Sequence, residues 1–167
     1  MSKLKKTLVI SILAGLGGVL GAVESMLPIF AQIPGGKLGI ANIVTVVVLY
    51  GFGNVPAILV SCIRTVVTSM LYGGVNAFMY SFAGAILSTG TMIFFKTILK
   101  KKVTPVGISV VGAAFHNTGQ IVVAFMVLQS KAVFSYLGVL LLISVVSGAT
   151  CGYCSKETLK WIKGLII

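Results

Sequence analysis

Aspartate is absent from this chain, glutamate occurs only at positions 24 and 157, and there is a single histidine, His116. Those gaps exclude whole classes of chemistry. Work on diphosphates that relies on Mg²⁺ needs clustered acidic oxygens, and here the two carboxylates stand near opposite ends of the sequence. A transition-metal site needs several His, Cys or acidic ligands within reach, and His116 has no second histidine to join it, so no metal is expected. The three cysteines, Cys62, Cys151 and Cys154, form no disulfide framework. Cys151-Gly-Tyr-Cys154 has the C-x-x-C spacing but no second pair, which favours packing as small apolar residues at a helix end. No G-x-x-x-x-G-K-[ST] run occurs, so ATP hydrolysis is not expected of this chain, and no cofactor is implied.

Charge is scarce as well. Charged residues make up 9% of the 167, where a soluble domain carries about a quarter. Hydrophobic residues make up 57%, and the mean hydropathy is +1.12. These values describe an integral membrane protein. The formal net charge of +11 would suit nucleic acid if it formed a basic face with interleaved aromatics. Instead the lysines occupy short segments between apolar runs, the distribution that membrane topology imposes; no nucleic-acid partner is expected.

Six apolar segments are expected to form one all-α domain over 1–167, at about 7–27, 38–53, 55–72, 75–99, 106–128 and 133–154. Most have the length that a spanning helix requires. The first follows Lys3, Lys5 and Lys6 in the manner of a signal peptide, but runs on without a small-residue cleavage site, so it is expected to be a retained span. Only Asn54 separates the second and third, which predicts a tight helical hairpin turning at Gly51, Gly53 and Pro56, with a partly re-entrant pair as the alternative. Lys3, Lys5, Lys6, Lys96, Lys100, Lys101, Lys102, Lys156, Lys160 and Lys163 fall on one side, against Lys37 and Lys131 on the other. The positive-inside rule then places both termini in the cytoplasm. The tail 157–167, with Trp161 among lysines, reads as a short amphipathic surface helix.

Polar side chains inside such segments are costly and mark function. Arg64 stands near the middle of the third segment, where a guanidinium costs about 2.5–3.5 kcal/mol to insert. It is expected to face the bundle and to pair with Glu24, with a ligand anion or with helix carbonyls. His116, Asn117 and Gln120 share one face of the fifth segment with Ala113, and supply hydrogen bonds to a ligand or to neighbouring helices. By the same topology Glu24, Lys37, Asn42, Asn76, Tyr80 and Gln120 fall in the outer half, over a floor of Arg64 and His116. Glu24 either caps the interface or pairs with Arg64 or Lys37. The 28–37 stretch, with Pro34, Gly35 and Gly36, predicts an irregular outer loop, and the helix start after Lys37 an end that favours anions. The nearly apolar inner half argues against a continuous pore. In the first segment Ala14, Gly18 and Ala22, widened by Gly17 and Gly21, form a smooth stripe for close approach to another helix, either of this chain or of a partner subunit.

Pro34-Gly35-x-Lys37-Leu38-Gly39-x-Ala41-Asn42, the lone Arg64 and His116-Asn117-x-Gly119-Gln120 together resemble a bacterial membrane family known as heptaprenyl diphosphate synthase component I, or Gx transporter, over nearly the whole chain. That family is similar to the substrate-binding S components of energy-coupling factor (ECF) transporters. The resemblance implies a six-helix bundle in the plasma membrane that captures a small vitamin-like, flavin-related or isoprenoid molecule from outside. It also implies docking, through the Ala14, Gly18 and Ala22 stripe, onto a transmembrane coupling subunit with two ATPases. The synthase label does not survive the carboxylate count, since prenyl transfer needs Mg²⁺-holding acidic clusters. The chain is therefore expected not to be an enzyme. The alternative is a non-catalytic membrane partner of a prenyl diphosphate synthase or redox system.

Overall fold

The computed structural model describes residues 2–26, 39–72 and 74–166, which are almost wholly helical and contain no strand. Among the described residues six α-helices run in order: α1 Lys3–Met26, α2 Asn42–Gly51, α3 Asn54–Tyr72, α4 Gly74–Leu99, α5 Pro105–Leu128 and α6 Ser135–Ile166, with 3-10 turns at Lys100–Lys102 and Lys131–Phe134. Five of them, all but α2, are long and apolar enough to cross a membrane.

The expectation of a sixth span at 38–53 meets a ten-residue helix. At 1.5 Å per residue α2 covers about 15 Å, half of a hydrocarbon core of about 30 Å. Its start is set by Gly39, whose φ of +78° is left-handed; the turn that follows carries Asn42 N–H to Gly39 O at 2.8 Å. The hairpin after it forms as expected. Gly53 takes φ +107°, Phe52 N–H and Gly53 N–H both donate to Val48 O, and Asn54 already belongs to α3.

Short as it is, α2 occupies the centre. Val46, Val47, Val48 and Leu49 are fully buried, as a helix apolar on every side must be. α3, α6, α1 and α5 surround it. Its C-terminal carbonyls need partners, and Lys96 Nζ from α4 donates to Leu49 O at 2.6 Å while lying over the Tyr50 ring. Tyr50 Oη in turn donates to Val103 O.

α5 is the other organiser, packed on α4 and α6. Thr104 caps its start by accepting Gly107 N–H at 3.2 Å, ahead of Pro105, and Gln129 ends it in a left-handed turn. Contact with α6 is close because Gly148 and Gly152 have no side chain; a methyl at Gly148 would sit 2.6 Å from Val110 Cα. The tail expected as a separate surface helix is instead continuous with α6, which has no glycine or proline between Cys154 and Lys163 to break it. Its exposed Lys160 pairs with Glu157 at 2.8 Å.

Most of the buried apolar side chains among the described residues fall into two clusters. One gathers around α2 with Leu13, Ile108 and Leu159. The other joins Ile121, Ala124, Val133 and Leu140. On both α5 and α6 the stretch between the clusters is where the polar residues collect.

Candidate functional site

Along α5, Ser109, Ala113, His116 and Asn117 follow one another at helical spacing between Ile108 of the first apolar cluster and Ile121 of the second. α6 presents Ser147, Gly148 and Cys151 opposite them, α1 contributes Glu24, α3 Arg64, and the start of α2 Gly39 and Asn42. These residues enclose a cavity of about 40 Å³. A second cavity of about 30 Å³ lies beside it, lined by Gly21, Glu24, Ala41, Arg64, Thr65, Thr68, Ser81 and His116. Glu24, Arg64 and His116 wall both.

Arg64 is buried on α3, and its stem is accommodated because α1 carries Gly17 there; a methyl at that glycine would stand 3.5 Å from Arg64 Cδ. Nε donates to Thr45 Oγ1 of α2 at 3.1 Å. Among the described residues its terminal nitrogens make no hydrogen bond or salt bridge, although Glu24 lines the same space. Glu24, also buried, accepts Gly39 N–H at 2.5 Å through Oε1, so its carboxylate caps the turn that starts α2. Of the alternatives for Arg64, a direct ion pair with Glu24 is not formed.

Two more groups stand open. Asn42 Oδ1 and Ser109 Oγ are buried in the cavity wall and have no partner among the described residues. Leaving such a group unmade costs about 1–3 kcal/mol, a penalty that a ligand with matching groups relieves. Asn117 differs. Its Nδ2 donates to Leu140 O at 3.2 Å and to Ser144 Oγ at 2.8 Å, so its amide ties α5 to α6 as well as facing the cavity. His116 is half-buried and rests over Gly84 of α4, where a methyl would come within 3.0 Å of its ring.

The residues expected at the site therefore separate. Glu24, Asn42, Arg64, His116 and Asn117 come together. Gln120 is fully buried but lines neither cavity, and both of its amide atoms lack partners among the described residues. Tyr80 packs against the second apolar cluster, and Asn76 is exposed at the start of α4. Lys37 and the expected outer loop lie outside the described residues; at the helix start that follows them, Gly39 N–H already donates to the Glu24 carboxylate, and Asn42 and Ile43 N–H donate to the carbonyls of Gly39 and Ile40. The wall of Asn76, Tyr80 and Gln120 does not assemble; the polar groups that do meet are nearer the middle of α5 and α6. Ser109, Ser147 and Cys151 were not expected there. Gly148-x-x-x-Gly152 was the available signal, since that spacing brings α6 against α5 and turns its Ser147 and Cys151 inward.

Ala14, Gly18 and Ala22 are buried within the chain. A methyl at Gly18 would stand 3.1 Å from Val67 Cγ1, and one at Gly21 would stand 2.5 Å from Thr68 Oγ1. Thr68 Oγ1 also donates to Gly18 O at 3.3 Å. The stripe is the seam between α1 and α3, so of its two expected uses the structure shows close approach to a helix of this chain.

No group of three or more His, Cys or acidic residues suited to a metal occurs among the described residues. No curated protein and no solved structure matches the chain. The family model described as heptaprenyl diphosphate synthase component I matches residues 13–158, most of its length. The chain belongs to the heptaprenyl diphosphate synthase component I family.

Proposed function

We propose that this chain is a non-catalytic, substrate-binding subunit of a membrane importer, akin to the S components of ECF transporters. The observation that carries this reading is the buried Arg64, whose terminal nitrogens have no partner among the described residues and which faces a cavity with two unsatisfied acceptor-bearing side chains. A buried charge held open in this way is an expense that a purely structural bundle has no reason to keep. Arg64, His116, Asn117, Asn42 and Glu24 would hold the polar part of the substrate. The single domain would lie in a bacterial plasma membrane with both termini cytoplasmic. α2 would supply half of the second of six crossings, its start bringing Asn42 to mid-depth near Glu24 and its end meeting Lys96 of α4, so that both termini stay on one side. A coupling subunit and two ATPases would supply energy and would dock on a face other than the α1–α3 seam.

The test is purification with and without the other membrane and ATPase subunits, followed by native mass spectrometry. A bound small molecule that is retained by the parent protein and lost in Arg64→Ala supports capture. A second reading, a membrane partner of a prenyl diphosphate synthase, is favoured by the family's description. A ligand-free protein that co-purifies only with a soluble synthase subunit would establish that reading and end the importer one.

A further inference from the structure

The two polar cavities, about 40 and 30 Å³, are small; whole drug-sized ligands take sites of about 300–1,000 Å³. They fit a head group. The remainder of any ligand needs somewhere to go, and one wall leads there. Ser147 and Cys151 line the first cavity and also an apolar groove of about 560 Å³ formed with Ile40, Leu142, Val146 and Thr150. Leu142 and Val146 are 73% and 71% exposed on α6, a helix long and apolar enough to span, so the groove faces acyl chains.

The charge inside the cavity limits the head. Arg64 and Glu24 bring one positive and one negative group into the same buried space. An added anion would leave a net buried charge, which is costly. A neutral head with an acceptor for Arg64 and donors for Asn42 Oδ1 and the Glu24 carboxylate leaves none.

Resting on the binding-subunit reading, we infer that the ligand is a bilayer-resident amphiphile: an uncharged head bearing both a donor and an acceptor sits between Arg64 and Glu24, and its single apolar chain lies in the Ile40–Val146 groove. The molecule would enter sideways from the membrane through the α2–α6 side, past Ser147 and Cys151.

The probes are dodecanamide, its short homologue acetamide, and dodecyl phosphate as the anionic counterpart, with binding read by thermal shift and native mass spectrometry in detergent. Dodecanamide is expected to bind the parent protein at least tenfold more tightly than dodecyl phosphate. Glu24→Gln, which leaves Arg64 as the net charge, is expected to reverse that preference. Leu142→Trp and Val146→Trp, both at exposed positions that leave the core intact, are expected to weaken dodecanamide at least tenfold while leaving acetamide unchanged. Equal binding of dodecanamide to the parent and to both tryptophan variants would overturn the groove and leave the cavity as a site for a water-soluble ligand. A phosphate preference in the parent protein would overturn the neutral head. If none of the probes binds and Arg64→Met changes nothing, the underlying binding-subunit reading fails too.

Discussion

Glu24 and Arg64 face one cavity from α1 and α3 without closing on each other. Gly39 N–H occupies the carboxylate and Thr45 Oγ1 holds the guanidinium Nε. A buried pair in direct contact satisfies itself and leaves little for a third group. Held apart by a backbone amide and a hydroxyl, each charge keeps capacity towards the space between them.

This arrangement predicts a specific coupling. Removing one member leaves the other as an uncompensated buried charge, which destabilises the fold. Arg64→Met and Glu24→Gln should each lower the thermal unfolding midpoint in detergent, and the double variant should recover much of the loss. The expected interaction energy is about 0.5–3 kcal/mol. Losses that simply add would show that the two charges do not sense each other, and that Arg64 is stabilised by something else.

The seam between α1 and α3 gives a second prediction. Inserting side chains into a close contact costs about 1–3 kcal/mol. Gly21→Leu, against Thr68, and Gly18→Leu, against Val67, should therefore lower the unfolding midpoint and the yield of monodisperse protein. Gly15 has nothing within 4 Å, and Gly15→Leu should be tolerated. If Gly21→Leu were as stable as the parent but failed to bind a partner subunit, the stripe would be a docking surface after all.

How far the sequence was legible follows from what each signal measures. Hydropathy located all five long helices, and four of them to within a few residues, because span length and apolar run coincide; α6 instead continues past the expected end at 154 to Ile166, since nothing in its polar tail breaks the helix. It overextended α2, since an apolar run does not reveal that Gly39 turns left-handed or that the helix is sunk among its neighbours. Helical spacing put His116 and Asn117 on the cavity face, yet it also put Gln120 there. One turn further along α5 the neighbours are Ile121 and the second apolar cluster, which periodicity on one helix cannot sense. Ser109, Ser147 and Cys151 look like ordinary small residues until Gly148 and Gly152 bring two helices together. The α1 stripe was readable as a close contact, but not which helix it contacts.

Gln120 yields the third prediction. Both amide atoms are buried without partners among the described residues, a state that costs about 1–3 kcal/mol relative to a well-packed apolar group. Gln120→Leu should raise the unfolding midpoint and leave ligand binding unchanged. A loss of binding with unchanged stability would return Gln120 to the site, as the polar face of α5 first suggested.

The last prediction concerns the support of His116. The ring sits at the α4–α5 contact because Gly84 leaves room for it: a methyl there would stand 2.8 Å from the His116 carbonyl oxygen and 3.0 Å from the ring. Both atoms are part of, or attached to, a packed helix, so the added methyl must push α5 or turn the imidazole. Gly84→Ala should thus displace His116 from the wall it gives to both cavities, and reduce ligand binding about tenfold with a smaller effect on unfolding. Gly90, six residues further on the same helix, is exposed with nothing within 4 Å, so Gly90→Ala should preserve binding and add up to about 1 kcal/mol of helix propensity. Isothermal titration or ligand retention in native mass spectra separates the two. Full binding by Gly84→Ala would mean that His116 lines the cavities without contributing to what they hold.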